Sequence, residues 1–530
     1  MKLPFILFLL FIANILNGQK IDCNACPSQN KLSESQGQVS VKPNQANSFD
    51  RMLSSTEMKK DLKLFHKIRI SANSGIYRYV SKKEIDRQYK SAFAKIKKPA
   101  TTLSFYKILL QLSDIEGSNH NYTEPPKEIL DSLNFQKAFF PYPLKYIEGK
   151  IIFNSVNKEI PLGSRILRIN GVNDTALMQS FYKYMPSDGY NISYKQSGSV
   201  NNSFGIRYLL EYGLKDSFVI TYMAPGLSSQ QSVILKSVFL QERLKNLQER
   251  HSAKVDSVID NRVQEKYSFQ LLTPETAKLN FRIFTMAAST KDPAFKVYCD
   301  FIDSIFSVLN EKGIKNLIID IRGNPGGLDP TYEQPMMYLT DSSFKENTLA
   351  YTIFDNIPHQ EYFWGPATEY KADAKAKLEY ENLINSYFTK FEKGRNLQNP
   401  LKNLSYNPKK PAFTGNAYLL IDENVGSAAS HLASLFKAYA RNGKIIGEET
   451  SGGYYGHNGH FPVVYELPNS KIKTKFSVVY VVQDAPLKPD QPLGRGVIPD
   501  YKVTNSFDDF MNNIDAQMEF VLKLINLKKH

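Results

Sequence analysis

The carboxy-terminal half of the chain predicts an α/β fold, and three observations carry that expectation. Leu317-Ile318-Ile319 is an unbroken apolar run of the kind a strand buried on both faces needs. Before it, Phe295, Cys299, Ile302, Ile305, Phe306 and Leu309 recur at helical spacing and stop at Gly313, which suits a helix end. The unit then repeats: Tyr418 to Ile421 reads as a strand, Ala428 to Ala440 as a helix closed by Asn442-Gly443, and Ile445-Ile446 as a strand. Leu279 to Phe284 supplies one more strand ahead of the first helix.

At 530 residues the chain exceeds what one core needs, so two or three domains are expected. A hydrophobic fraction of 42% and a charged fraction of 22% are those of an ordinary globular protein, and nothing global suggests disorder. The net charge of +14 is spread over scattered lysines without a dense basic block, so it reads as solubility and not as a nucleic-acid footprint. Lys2 followed by Leu3 to Leu10, an apolar stretch to Leu16 and then Gly18 reads as a signal peptide over 1–18. The expected location is therefore periplasmic or secreted, with no stable membrane insertion after cleavage. Three cysteines give no disulfide framework; Cys23 and Cys26 lie in a polar leader over 19–47, and Cys299 is expected as a buried thiol on its helix face.

Met58, Leu62 and Phe65, the capping pattern Ser81 with Glu84, and the apolar segment Leu103 to Leu112 predict a helical subdomain over 48–136. It ends in the polar loop Asp114 to His120. From there to 240 the texture is short strands: Ile151-Ile152-Phe153, Ile166 to Ile169, Phe218-Val219-Ile220 and Val233-Ile234-Leu235. The α/β unit then spans 241–505. Aromatic, Lys and Glu residues over 343–404 are expected to form an inserted helical cap, Phe461 to Val482 a hairpin, and 506–530 a carboxy-terminal helix.

Two strand ends bring together what acyl transfer requires. After the first strand, Asp320-Ile321-Arg322-Gly323-Asn324-Pro325-Gly326-Gly327 places glycines at the carboxyl edge of the sheet, where α/β proteins bind ligands. Asp320 and Arg322 are expected to brace that turn. At the second, Asn424-Val425-Gly426-Ser427-Ala428-Ala429 joins a buried strand directly to a helix. A serine there has its hydroxyl at a helix amino terminus, where free amides favour negative charge.

Together with Gly447 to Gly453 and Gly494 to Asp500, these motifs resemble the tail-specific, or carboxy-terminal processing, serine protease family, which includes the tricorn core. The stretch Leu162-Gly163-Ser164-Arg165 through Asn170-Gly171-Val172 resembles a PDZ module, which binds an extended peptide as an added strand. The family resemblance implies a ClpP/crotonase-like core preceded by the helical subdomain and a PDZ-like domain over 137–240. It also implies endopeptidase action on polypeptide tails or peptides without a metal or other cofactor. Ser427 is then the nucleophile, and the amides of Ala428 and of Gly326 or Gly327 hold the oxyanion.

The general base departs from the lysine-using branch, because the position that would carry lysine is Gly453. The tricorn-like branch takes a histidine from the amino-terminal part, and Gly117-Ser118-Asn119-His120 resembles that site, making His120 the candidate base. His431, His457 and His460 are rivals. Asp490, Asp484 and Glu449 are the candidate orienting carboxylates. A catalytically inactive peptide-binding or ligand-binding protein on the same fold stands as the alternative.

Overall fold

The computed structural model describes residues 51–200, 203–259, 265–328 and 330–527. The signal-peptide and leader readings, with Cys23 and Cys26, lie outside those residues. Three helices come first: α1 (Ser55–Ala72), α2 (Lys82–Lys95) and α3 (Thr102–Asp114). Ser54, Ser81 and Thr101 each accept from an amide of the first turn, satisfying donors that a helix start leaves unpaired. Met58, Leu62 and Phe65 of α1 pack with Ile85 and Tyr89 of α2 and with Phe105 and Leu109 of α3. Strand β1 (Tyr122–Glu124) then leaves the helices and joins a sheet of the carboxy-terminal half.

The β-rich module is an antiparallel sheet in the order β2 (Leu144–Ile147), β3 (Lys150–Phe153), β4 (Arg165–Ile169), β5 (Ser217–Met223) and β6 (Gln231–Lys236). After β4 the chain reverses at Asn170 and Gly171, with φ of +49° and +81°, as a tight hairpin turn demands. Short helices over 174–182, 193–200 and 204–212 complete the module, and Phe140, Phe181, Phe204 and Phe218 form its core.

The catalytic-type unit begins with β7 (Tyr267–Thr273), β8 (Thr276–Phe281), α4 (Pro293–Glu311), β9 (Asn316–Asp320), β10 (Asn347–Thr352) and α5 (Ala374–Tyr387). It continues with β11 (Asn416–Ile421), α6 (Ser427–Tyr439), β12 (Gly443–Gly447), β13 (Gly456–Glu466), β14 (Lys473–Gln483), β15 (Tyr501–Lys502) and α7 (Ala516–Leu527). The main sheet runs β7-β8-β9-β11-β12-β15, parallel except for the antiparallel edge β7. Leu317, Ile319, Leu419 and Ile445 face α4 and α6 on one side. Ile318, Leu420 and Ile446 face Val521 and Ile525 of α7 on the other. Strands apolar on both faces are thus sandwiched between helices, and all their loops to the following helices collect at one edge.

The expected helical cap over 343–404 is corrected: α5 is its one long helix, and the other regular elements are short strands and a 3-10 turn at Pro400–Lys402, joined by irregular segments. Strands Phe363–Gly365, β13, β14, β10, Arg395–Gln398 and Phe388–Glu392 form a second sheet in that order, with β1 also on β14. Phe363–Gly365 and β10 are strands because distant β13 and β14 pair with them, while Phe388–Glu392 and Arg395–Gln398 form a local hairpin that pairs onto β10, so aromatic and charged composition alone misassigns them. The region over 506–530 is likewise two helices, Phe507–Met511 and α7, separated where Asn513 takes φ of +53°. Cys299 is half-buried, because Tyr298, one residue earlier, takes the core-facing position. Among the described residues no helix is long and apolar enough to cross a membrane.

The helical subdomain holds a buried ion pair whose arginine also donates to Thr474 of the second sheet. Arg69 of α1 is fully buried, pairs with Glu116 just after α3, and lies 4.1 Å from the Phe476 ring centroid. Glu116 also accepts from Asn73 and Asn121. Removing one charge of such a pair strands the other, at a cost of about 3–5 kcal/mol. Glu116→Gln is therefore expected to lower the unfolding free energy by about 3 kcal/mol in denaturant titration. The double variant Arg69→Met, Glu116→Leu should cost less than that single change.

Candidate active site

Ser427 opens α6 directly from the loop after β11, and Gly426 before it offers no side-chain cap. Its φ is +48°, a left-handed backbone that a non-glycine residue holds only at about 1–3 kcal/mol. The surrounding loop enforces it. Asp422 accepts from the amides of Gly323 and Asn424, Gly426 N donates to the Asn324 carbonyl, and Ser451 donates to the Val425 carbonyl through both its amide and its hydroxyl. The result is a strand-to-helix elbow that presents the hydroxyl at the carboxyl edge of the sheet.

The glycine turn after β9 lies against this elbow. A Cβ on Gly326 would sit 2.6 Å from the Ser427 Cβ and 2.9 Å from the Ala428 nitrogen, and one on Gly327 would sit 2.1 Å from the Phe284 carbonyl oxygen. Gly326 donates its amide to the buried Asn324 side chain at 2.9 Å, so that N–H is already engaged. The amides of Gly327 and Ala428 make no hydrogen bond among the described residues. Of the amides expected at an oxyanion site, these two are left available. Asp320 and Arg322 form a bidentate pair, and Arg322 continues to Asp515 ahead of α7. Burial opposes the Asp320 charge, but Arg322, Lys278 and Arg282 hold its carboxyl well below the usual range. The turn is therefore anchored by fixed charge at its strand end.

His120 reaches this edge from the loop after α3, and its Nε2 lies 3.2 Å from the Ser427 Oγ. A buried carboxylate positions that loop: Asp188 of the β-rich module accepts from the amide of Asn119 at 2.8 Å and from the amide of Gly453 at 3.1 Å. Gly453, where a lysine base would stand, is thus a backbone donor, and a Cβ there would sit 2.5 Å from the Gly456 carbonyl oxygen. Burial raises Asp188 to about 6, and the two amides pull it the other way. Burial pushes His120 down to about 4, aided by His460 and Lys475. The imidazole is therefore neutral at pH 7 and free to accept a proton.

Nothing among the described residues partners the buried Nδ1 of His120. The three proposed carboxylates are engaged elsewhere. Asp490 pairs with Lys437 and is 62% exposed, Glu449 binds Arg495 and the amide of Gly496, and Asp484 accepts from Tyr439 and the amide of Lys345. The other histidines stand nearby without bonding the serine. His431 Nδ1 bonds the Tyr332 hydroxyl at 2.9 Å, His460 pairs with Glu346 at 2.8 Å, and the His457 ring lies 5.8 Å from that of His120. Sequence reasoning did not single out Asp188 or Glu346. Both sit in stretches whose local pattern carries no sign of the site. Among the described residues no cluster of His, Cys, Asp or Glu has a metal-binding arrangement.

An elbow serine, a neutral imidazole on its hydroxyl and two free amides beside it are the parts of an acyl-transfer site. Residues 293–503 match the model of peptidase family S41. The chain carries a peptidase family S41 domain. Among solved structures, mature CPAF aligns with a TM-score of 0.55 at 14% identity, covering 88% of this chain and 97% of that one. Mature CPAF complexed with lactacystin aligns at 0.55 and 14%, covering 89% and 98%. These likenesses show the fold, from the helical subdomain through the S41 domain. No curated protein sequence matches the chain.

Gly326→Ala is expected to cut peptidase activity at least about 100-fold with the fold retained, since it displaces Ser427 and strains a residue at φ of +108°. Steady-state rates alongside a melting curve check it.

Proposed function

We propose that the protein is an exported serine endopeptidase that hydrolyses polypeptide tails or peptides through an acyl-enzyme on Ser427. The single observation that carries this reading is the 3.2 Å contact between His120 Nε2 and Ser427 Oγ at a left-handed helix start. In the proposed reaction His120 accepts the hydroxyl proton as Oγ attacks the scissile carbonyl carbon. The resulting oxyanion is received by the amides of Gly327 and Ala428. His120 then returns the proton to the leaving amine, and water, deprotonated by the same imidazole, hydrolyses the ester. One oxyanion donor of this kind is worth about 10²–10³ in turnover.

The amino-terminal sequence supports export, and the PDZ-like reading of the β-rich module supports a polypeptide substrate recruited as an added strand. Substrate would enter a cavity of 2460 Å³ whose walls come from the helical subdomain, the β-rich module and the S41 domain. The alternative, a protein that binds peptide in this cleft without turnover, is favoured by the unpartnered Nδ1 of His120. A fluorophosphonate probe separates the two readings. The peptidase reading expects covalent labelling of wild type, none in Ser427→Ala, and a loss of about 10²–10⁴-fold in casein or peptide cleavage in His120→Ala. Undiminished labelling of Ser427→Ala overturns the nucleophile, and full activity in His120→Ala overturns the base.

A further inference from the structure

The register of the second sheet puts a cation beside the base. β1 begins two residues after His120 and pairs with β14 so that Lys475 stands opposite Tyr122. Side chains alternate along a strand, so Lys473, Lys475, Ser477 and Val479 share one face of β14, and all four line the cavity that contains Ser427 and His120. The two lysines differ in their surroundings. Lys473 donates to the Thr368 carbonyl at 2.7 Å and lies 4.1 Å from the Trp364 ring centroid. Lys475 is half-buried, and its ammonium forms no hydrogen bond or ion pair among the described residues. Glu369 and Glu124 face it but close no salt bridge with it.

We propose that Lys475 binds a carboxylate of the polypeptide substrate, either its terminal carboxylate or an Asp or Glu side chain near the scissile bond. The inference rests on the peptidase reading and adds a substrate class to it. A partly buried ammonium without a partner has lost hydration that only an anion restores fully. Burial lowers the Lys475 pKa despite the two glutamates, so the cation is under-compensated where it stands. Lysine suits this use as a compact point charge on a flexible stem, able to meet a carboxylate that arrives with a mobile chain. The same charge is one of the groups that hold the His120 pKa down, after burial and His460. A substrate carboxylate at Lys475 relieves that repulsion and makes the base stronger when the right substrate is bound.

The test uses the full chain and one quenched fluorescent peptide sequence in three forms: with a free terminal carboxylate, with a terminal amide, and as the amide with one Asp beside the cleavage point. The expected result is a kcat/KM about tenfold higher for a carboxylate form than for the neutral amide. The form that gains identifies the source of the carboxylate. In Lys475→Met the ratio falls to about one, and in Lys475→Glu it drops below one, while a peptide with Lys in place of Asp gains. A wild-type ratio near one in both arms overturns the proposal, and so does a Lys475→Met variant that keeps the preference. Labelling of Ser427 by the fluorophosphonate probe distinguishes the failures. A wild type that labels and cleaves but ignores the carboxylate refutes this inference alone, whereas one that neither labels nor cleaves refutes the peptidase reading and this inference with it.

Discussion

Asp188 is the constraint on which the assembled site depends. Its two oxygens accept from the amide beside the base and from the amide of Gly453 behind the nucleophile loop, so one buried carboxylate sets the spacing of His120 and Ser427. Its neighbours extend the staple. Gly189 donates to the Gly117 carbonyl, Tyr190 donates to the Gly494 carbonyl, and the Asn191 side chain donates to the Thr450 carbonyl. A segment of the β-rich module therefore locks the helical subdomain onto the S41 domain at the cleft. Such charge-assisted bonds in a buried setting are stronger and less screened than surface contacts, which suits them to hold a geometry that catalysis needs within a fraction of an ångström.

Strain and glycine have matched roles in this arrangement. Ser427 is held at positive φ because Asp422, Asn324 and Ser451 over-determine its loop, and the glycine turn can approach it only because Gly326 and Gly327 lack a Cβ. Burial, meanwhile, keeps His120 and His431 neutral, each pushed down to about 4. Beside these two neutral imidazoles the cleft carries charge at the His460–Glu346 pair and at Lys475, so the field at Ser427 comes from groups around the reacting ones.

The parallel sheet and the strand-to-helix elbow at Ser427 were legible in the sequence because both are local. Leu317-Ile318-Ile319 announces a two-sided strand, and a Gly-Ser-Ala junction between strand and helix announces an elbow. The place of His120 beside Ser427 was reachable only through resemblance, since a histidine in a polar loop looks the same wherever the fold sends it. Asp188 was not legible at all: its role comes from amides that belong to loops far away in sequence. The same physics explains the misread insert, where β13 and β14 recruit Phe363–Gly365 and β10 as strands, and the misassigned carboxylates, which resemble cleft residues in sequence but are taken by Lys437, Arg495 and Tyr439 in space.

The central claim is that a neutral imidazole, and not an amine, activates Ser427. The rate of covalent labelling of Ser427 by a fluorophosphonate as a function of pH tests it directly, because that step needs the base and nothing from a particular substrate. With His120 held down to about 4, the account predicts a rate that is flat through neutrality and falls to half near pH 4. A rate that instead climbs through the alkaline range, as a lysine base would require, contradicts it.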